Sequence, residues 1–397
     1  MKKDLLFMLN LISSVVLDNT LPALNHKANW KLIYQIAERN SITNIIAVAI
    51  LSGNYKVPSE ICALFKKRLY EHMVISEKQN NEMAKILKAF SENQIKHMPI
   101  KGIVLQDLYP TKDLRTMKDS DILIKTEDFD KISHIMTEMG YTFQCDSDHE
   151  YIFYKPPFVY VELHKFLIPS YNDDMYKYFG DGWKKALKKE NNEFCYHLNT
   201  EDNFIYTFSH LAKHYRDSGC GIKPFIDIWL LIKKYPHMDF KYIEKQFKSL
   251  NILTFYKNVL NLLESWFNYK EFDPISIEIT GFVLNNFTFG TALNHTISTD
   301  IRKNKDIHPK NIGKFKHLYH AFPRLSHMKK TYPILDKIPL LLPLFWIVRL
   351  VNAVLFRRKN IADYKKQMNA VSERNVNEYY NHMKNVGLDI YNGRGNS

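Results

Sequence analysis

Cysteine is scarce in this chain, and the few that it has form neither a zinc-binding pattern nor a disulfide framework. The four cysteines, Cys62, Cys145, Cys195 and Cys220, are scattered and include no Cys-x-x-Cys pair. This excludes the dense disulfide scaffold of small secreted proteins, and it predicts a reducing, cytoplasmic location.

The sequence also lacks a glycine/serine-rich linker and any repeat of fixed period. Its 397 residues are 45% hydrophobic and 24% charged, which excludes a disordered chain and allows two or three domains with a substantial core. Domain boundaries therefore have to come from changes in local pattern.

Acidic residues are fewer than basic residues in this chain. Lysine and arginine number 55 against 42 aspartates and glutamates, and the formal net charge is +13. Nucleotides, nucleic acid, acidic glycans and membrane surfaces would all suit this balance. Nucleic acid ranks last among these partners, because the sequence has neither zinc-finger spacing nor an RNA-recognition aromatic motif.

No hydrophobic run is long enough and clean enough to predict a membrane span. The most apolar run, residues 338–356, is interrupted by Pro343, Arg349 and Asn352 and is followed by Arg357-Arg358-Lys359. Peripheral contact with the inner face of a membrane through 338–359 is one interpretation, and packing on the protein or a partner is the other. Near the start, Asp4 and Asn10 favour an amphipathic helix over a signal peptide.

A short run with strand-like alternation, Asp119-Ser-Asp-Ile-Leu-Ile124, carries the strongest chemical pattern. In a β-strand Asp119 and Asp121 would share one face with their Cα atoms about 6.5 Å apart, while Ile122 and Ile124 would enter a core. A second strand-like run, 159–164, could bring Glu162 beside them. Three carboxylates at one site predict binding of Mg²⁺ or Mn²⁺.

A second pattern lies upstream of the acidic strand. A strand that ends at Ile100 and a helix that begins at Gly102 would leave free backbone N–H groups beside Lys101. Glycine would let the backbone approach a phosphate closely. The alternative interpretation of Lys101-Gly102 is an ordinary turn.

Together these residues resemble a known family. The ordered set Lys101-Gly102, Arg115, Asp119-x-Asp121, Gly140-Tyr141 and Glu162-Leu163-His164 is similar to the uncharacterised nucleotidyltransferases with a polymerase-β-like core. The resemblance extends to His210, His214, Asp227 and the apolar run near residue 338. It departs from better-known relatives at the phosphate turn, where Lys-Gly replaces Gly-Ser or Gly-Gly.

The resemblance implies an enzyme that transfers a nucleotidyl group from a nucleoside triphosphate such as ATP to an acceptor and releases pyrophosphate. Asp119 and Asp121 would hold two divalent cations, and Glu162 would complete the metal set or take the acceptor proton. Lys101 and Gly102 would neutralise the leaving pyrophosphate. The alternative is an inactive nucleotide-binding scaffold on a membrane or a polysaccharide-assembly complex.

Other candidate residues keep two interpretations each. Arg115 either binds triphosphate oxygens or pairs with a core carboxylate and fixes its loop. His164 either orients a carboxylate or ligates metal. His210 and His214, spaced i, i+4, either face one ligand or divide between core and surface. The resemblance implies that this helix and Asp227 close over the cleft.

The predicted fold class is α+β, with a small mixed β-sheet nucleotidyltransferase core between N-terminal and C-terminal helical regions. The predicted division is a helical region at 1–94, the core at 95–170, a helical domain that closes the cleft at 171–300, and a basic, amphipathic helical region at 301–397. The last region is basic because residues 302–330 contain nine lysines and arginines and only one acidic residue, Asp306.

Overall fold

The computed structural model describes residues 2–268, 270–286, 291–303, 322, 325–356 and 372–388. Their contacts form two compact units. The first comprises Met1–Lys213 and Cys220–Thr288, and the second comprises His214–Gly219 and Phe289–Ser397. The four-region division made from the sequence stays a prediction, and each unit is described by itself.

A seven-stranded mixed sheet forms the centre of the first unit. Its strands are β1 (His97–Ile100), β2 (Asp119–Ile124), β3 (Thr142–Asp146), β4 (Glu150–Lys155), β5 (Val159–His164), β6 (Ala186–Lys189) and β7 (Asn192–Leu198). They lie in the order β3-β4-β5-β2-β1-β7-β6. The central strand β2 runs parallel to β5 and antiparallel to β1, so the predicted mixed sheet is confirmed.

Helices flank this sheet on both sides in the sequence, as predicted for an α+β fold. Those before it are α1 (Lys2–Val16), α2 (Trp30–Arg39), α3 (Thr43–Ser52) and α4 (Ser59–Glu92). Those within and after it are α5 (Gly102–Leu105), α6 (Phe129–Glu138), α7 (Asp173–Phe179), α8 (Thr200–Asp217), α9 (Lys223–Lys234), α10 (Phe240–Ser249), α11 (Leu253–Phe267) and α12 (Pro274–Asn285). Short 3₁₀ turns at 106–108, 112–114, 126–128 and 183–185 connect several of them.

One face of the sheet is the apolar core of the first unit. Ile122 and Ile124 of β2 are buried there with Val161 and Leu163 of β5, and helices α4 and α6 cover them. Strand alternation turns every second residue to this face, so the residues between them must face the other way. The expectation that Ile122 and Ile124 enter a core is confirmed.

A buried glutamate joins α4 to the sheet. Glu82 is 1% exposed, and its carboxylate accepts hydrogen bonds from Lys155 Nζ of β4 (2.6 Å), Lys85 Nζ (3.0 Å) and Tyr141 Oη (3.2 Å). Burial opposes the charge of Glu82, but the bonds from Lys155 and Lys85 outweigh it and lower its pKa to about 2. The carboxylate is therefore a structural anchor.

The described part of the second unit is helical. Besides the end of α8 it contains α13 (Ala292–Lys303) and four further helices, Leu325–Thr331, Ile334–Lys337, Leu342–Phe356 and Glu373–Val386. Among the described residues no helix is both long enough and apolar enough to cross a membrane. The sequence predicts a basic helical region at 301–397, but most of the lysines and arginines between 302 and 330 lie outside the described residues, and so do Arg357, Arg358 and Lys359.

Candidate active site

Strands β2 and β5 place the predicted carboxylates on one face of the sheet. In their parallel register Asp121 lies beside Glu162, and Asp119 lies beside Tyr160. Because side chains alternate along each strand, Asp119 and Asp121 share the face opposite the apolar core with Glu162 and His164. The sequence prediction that Glu162 comes to lie beside Asp121 therefore agrees with the register.

Three of these side chains converge. Oxygen or nitrogen atoms of Asp121, Glu162 and His164 all lie within 4.8 Å of one another. His164 Nε2 donates to Asp121 Oδ1 at 2.7 Å and lies 3.6 Å from Glu162 Oε2. The short contact fits the interpretation of His164 as the residue that orients Asp121.

Lys101 supplies the positive charge of this cluster. Its Nζ donates to Asp121 Oδ1 at 2.6 Å and lies 3.1 Å from His164 Nε2. Burial disfavours both charges, but the ion pair outweighs burial: it holds the pKa of Lys101 above, and that of Asp121 well below, the ordinary value. Burial and the Lys101 ammonium favour neutral His164, but hydrogen bonds to Asp121 and Glu162 raise its pKa.

The backbone at Lys101 adopts a conformation that favours glycine. Its φ is +52° and its ψ is −123°, at the junction of β1 and the four-residue helix α5. A side chain at positive φ costs about 1–3 kcal/mol, which surrounding contacts must offset. The salt bridge to Asp121 is one such contact. It offsets part of the backbone strain at Lys101 while the turn holds the ammonium group beside the carboxylate.

Gly102 is closely packed. A Cβ atom at this position would lie 2.5 Å from Met117 Sδ and 2.8 Å from Arg115 Nη1. Both distances are far inside van der Waals contact, so a larger residue would force the Met117 side chain and the Arg115 guanidinium to move. The turn is thus fitted closely against the segment that leads into the acidic strand.

Arg115 forms a buried ion pair with Asp227 of α9. Its Nε donates to Asp227 Oδ1 at 2.9 Å and its Nη2 donates to Oδ2 at 2.8 Å, while Tyr109 Oη also donates to Oδ1 at 2.9 Å. This arrangement matches the interpretation of Arg115 as the partner of a core carboxylate that fixes its loop. The bidentate geometry ties the loop before β2 to α9.

Asp119 has strongly perturbed electrostatics. Burial, together with the negative charges of Asp121 and Glu162, raises its pKa to about 7, although the ammonium groups of Lys101 and Lys223 oppose this shift. Burial also lowers the pKa of Lys223, to about 8. A carboxylate that ionises with such difficulty is typical of a functional site.

Tyr206 of α8 lies near these charged residues, although it was not predicted from the sequence. Its side chain is 1% exposed, and its hydroxyl has no hydrogen-bond partner within the described part of the chain. Lys101, Asp121 and Glu162 all lie within electrostatic range of it, and burial raises its pKa. No sequence pattern pointed to it, because a tyrosine on an aromatic-rich helix has the pattern of a core residue.

Glu150 of β4 is a second omission. It lies beside His164 in the antiparallel β4–β5 pair, with its Oε2 3.9 Å from His164 Nε2 and 2.9 Å from His149 Nε2. An antiparallel hairpin of 150–155 with 159–164 is the signal that could have found it, because this pairing puts Glu150 opposite His164.

The remaining predicted residues lie on α8. His210 and His214 are both half-buried, and the His210 ring lies 6.2 Å from the Tyr206 ring. Neither belongs to the convergent group of Asp121, Glu162 and His164. Whether they face one ligand stays a prediction.

The donor set fits a divalent cation. Carboxylate oxygens suit Mg²⁺ and Mn²⁺. Asp121 and Glu162 lie side by side on paired strands, which is an arrangement that lets two carboxylates bind one ion. These two residues are therefore able to hold one cation, whereas Asp119 does not belong to the convergent group, so the pair of cations predicted from the sequence stays a prediction.

Comparisons with known proteins found a matching family and a similar solved structure. The model of a family described as uncharacterised nucleotidyltransferase matches residues 26–268. A search of curated proteins found no significant match. Among solved structures, the crystal structure of the Megavirus polyadenylate synthase is similar, with a TM-score of 0.28 and 12% identity over 64% of this chain. The match spans 58% of that protein's length.

Proposed function

The chain belongs to the uncharacterised nucleotidyltransferase family, and from this premise we propose that it moves a nucleotidyl group from a nucleoside triphosphate to an acceptor, with release of pyrophosphate. The family predicted from the sequence is confirmed by the match. The reaction, the bound cation and the residues that bind the cation and the substrate are all part of this proposal.

One observation carries the proposal. Within the residues that match the family, the register of β2 and β5 sets Asp121 beside Glu162, with Asp119 on the same face. Asp119, Asp121 and Glu162 are the proposed metal residues, with His164 orienting Asp121. A bound Mg²⁺ or Mn²⁺ would neutralise triphosphate oxygens and activate the attacking hydroxyl.

Lys101 is proposed to neutralise the leaving pyrophosphate. Its ammonium already lies in the acidic cluster, 2.6 Å from Asp121 Oδ1. A lysine is a point charge on a flexible stem, so it is suited to exchange a carboxylate partner for a phosphate oxygen.

Tyr206 is proposed to donate its hydroxyl hydrogen to a substrate oxygen. A buried hydroxyl without a described partner is costly, and a substrate atom beside Lys101 and Asp121 would satisfy it. This role needs no ionisation of the tyrosine.

Arg115 and Asp227 are proposed as positioning residues. Each satisfies the other in a buried pair, so neither guanidinium nor carboxylate is offered to the triphosphate in this arrangement. Their function would be to hold the loop before β2 at the distance that the Lys101-Gly102 turn requires.

The experiment is nucleotidyl transfer with labelled nucleotides. Purified protein is incubated with each α-³²P-labelled ribonucleoside triphosphate, Mg²⁺ or Mn²⁺, and cell extract. The Asp119→Asn/Asp121→Asn variant is run beside it, and Asp130→Asn, an exposed aspartate of α6, is the matched control. Extract without the protein gives the background.

We expect label on an acceptor with the wild type and with Asp130→Asn only. Digestion of the labelled product then distinguishes a small molecule, glycan, protein or RNA acceptor. If no label moves with any nucleotide while nucleotide binding persists, the transfer proposal is wrong and the scaffold alternative takes its place.

A further inference from the structure

The helix Leu342–Phe356, called the apolar helix from here on, presents an unusual surface in the second unit. Leu340, in the 3₁₀ turn before it, is 91% exposed, and Leu344, Ile347 and Val351 are 54%, 59% and 48% exposed. Single exposed apolar side chains are ordinary on proteins, but a continuous row is not. The row needs a partner surface.

The spacing of three of these residues puts them on one side of the helix. Leu344, Ile347 and Val351 follow one another at intervals of three and four residues, which is the repeat of a single helical face, and Leu340 lies in the 3₁₀ turn Pro339–Leu341 just before the helix. We call these four residues the apolar stripe. The three helical members have a common direction, so one flat surface could cover them at once.

The other side of the apolar helix is held by aromatic contacts. The ring of Phe345 lies 4.7 Å from that of Tyr332, and the ring of Trp346 lies 5.3 Å from that of Phe322. At about 100° of rotation per residue, Phe345 and Trp346 lie on the side of the helix away from Leu344, Ile347 and Val351, and those three side chains are exposed.

Charge decides which partner suits the stripe. The segment from Ile338 to Phe356 contains no acidic residue, Lys337 precedes it and Arg357-Arg358-Lys359 follows it. Cations at both ends of an apolar row suit a surface with a hydrocarbon interior and negatively charged head groups. A second copy of the same helix fits worse, because either orientation of the pair would bring cations against cations.

Length decides how the helix would lie. Fifteen residues span about 22 Å at 1.5 Å per residue, against roughly 30 Å for the hydrocarbon core of a bilayer. Arg349 lies near the middle of the helix, where a membrane span would place it at the bilayer centre. An orientation in the plane of the interface avoids both problems.

We propose that the apolar helix docks on the surface of an anionic phospholipid bilayer. The apolar stripe enters the boundary between head groups and acyl chains, and Lys337, which precedes the stripe, binds a lipid phosphate. No residue of the stripe is among those proposed for nucleotidyl transfer, so the proposal stands or falls separately from that function.

The test is co-sedimentation of the full chain with vesicles. One set is phosphatidylcholine alone, and the other contains roughly 30% phosphatidylserine to supply a negative surface potential. The variant Leu344→Ser/Ile347→Ser removes the centre of the stripe. The matched control Leu51→Ser/Val74→Ser removes two other exposed apolar side chains, which are 44% and 61% exposed on α3 and α4.

We expect the wild type and the control to bind the anionic vesicles at least about tenfold more tightly than the neutral ones. The stripe variant should bind the anionic vesicles at least about tenfold more weakly than the control. Far-ultraviolet circular dichroism and size-exclusion chromatography check that both variants fold.

Three results would overturn the proposal. The wild type could fail to bind anionic vesicles, it could bind neutral and anionic vesicles equally, or the stripe variant could bind as well as the control. Concentration-dependent self-association that the stripe substitutions abolish, without vesicle binding, would instead assign the stripe to a second copy of the chain.

Discussion

Replacing Asp119 by asparagine removes a carboxylate that the folded chain ionises only with difficulty. Its pKa rises from 3.8 to about 7 because burial and the charges of Asp121 and Glu162 disfavour a further negative charge. Asparagine has nearly the same shape and no charge. We therefore expect Asp119→Asn to stabilise the metal-free protein at neutral and alkaline pH.

The sign of this effect follows from proton binding. Between pH 3.8 and about 7 the folded state keeps the Asp119 proton that the unfolded state has lost, so the free energy of unfolding falls as the pH rises. Above about 7 both states have lost the proton and the cost stays constant. Asp119→Asn lacks this cost, so its advantage should grow from pH 4 to 7 and then level off.

The size of the effect can be bounded. At about 1.4 kcal/mol for each pKa unit, the largest cost of ionising Asp119 in the folded chain is about 4 kcal/mol. Asp119 is only partly buried, so solvent screening reduces this value. We expect a gain of about 2 kcal/mol for Asp119→Asn at pH 8.

Urea denaturation in a chelator, at several pH values from 4 to 8, measures the prediction. Asp130→Asn is the control, and it should follow the wild type at every pH. Added Mn²⁺ should stabilise the wild type more than Asp119→Asn, because a ligand stabilises the state that binds it. Wild-type and Asp119→Asn curves that stay parallel across this pH range would refute the reasoning about charge at position 119.

Three further predictions concern single residues. Lys101→Gly should be about 1 kcal/mol more stable than Lys101→Ala in urea, because both lose the salt bridge and only glycine relieves the positive φ; equal stabilities would contradict this. Tyr206→Phe should slow nucleotidyl transfer about tenfold or more without lowering the thermal midpoint, whereas the equally buried Tyr256→Phe should not; an equal effect in both would argue against a substrate contact. Glu82→Gln should destabilise the fold by about 1–3 kcal/mol at pH 7. In urea this difference should shrink as the pH falls from 4.5 towards about 2, and a constant difference would mean that the charge of Glu82 is unimportant.

Local pattern was sufficient to predict part of this site. Alternation in 119–124 and 159–164 gave two strands with apolar residues on one face and acids on the other, and the structure has both strands with that division. Strand periodicity depends on the backbone alone, so it is visible in a single sequence. The turn at Lys101-Gly102 was equally local.

Local patterns cannot predict contacts between residues that lie far apart in the sequence. The partner of Arg115 is Asp227, and nothing near either residue distinguishes a buried ion pair from a phosphate contact. Tyr206 comes to the acidic cluster only because α8 packs there. The side chain of Lys101 also turned out to meet Asp121, a pairing that depends on the antiparallel register of β1 and β2.

The Arg115–Asp227 pair has a consequence for dissecting this protein. A fragment limited to residues 95–170 would keep every proposed metal residue but would leave Arg115 without Asp227, its counter-ion, and β1 without its neighbour β7. Such a fragment should fold poorly. Strands β2 and β5 therefore depend on α9 for their folding, and the family match from 26 to 268 spans all three elements.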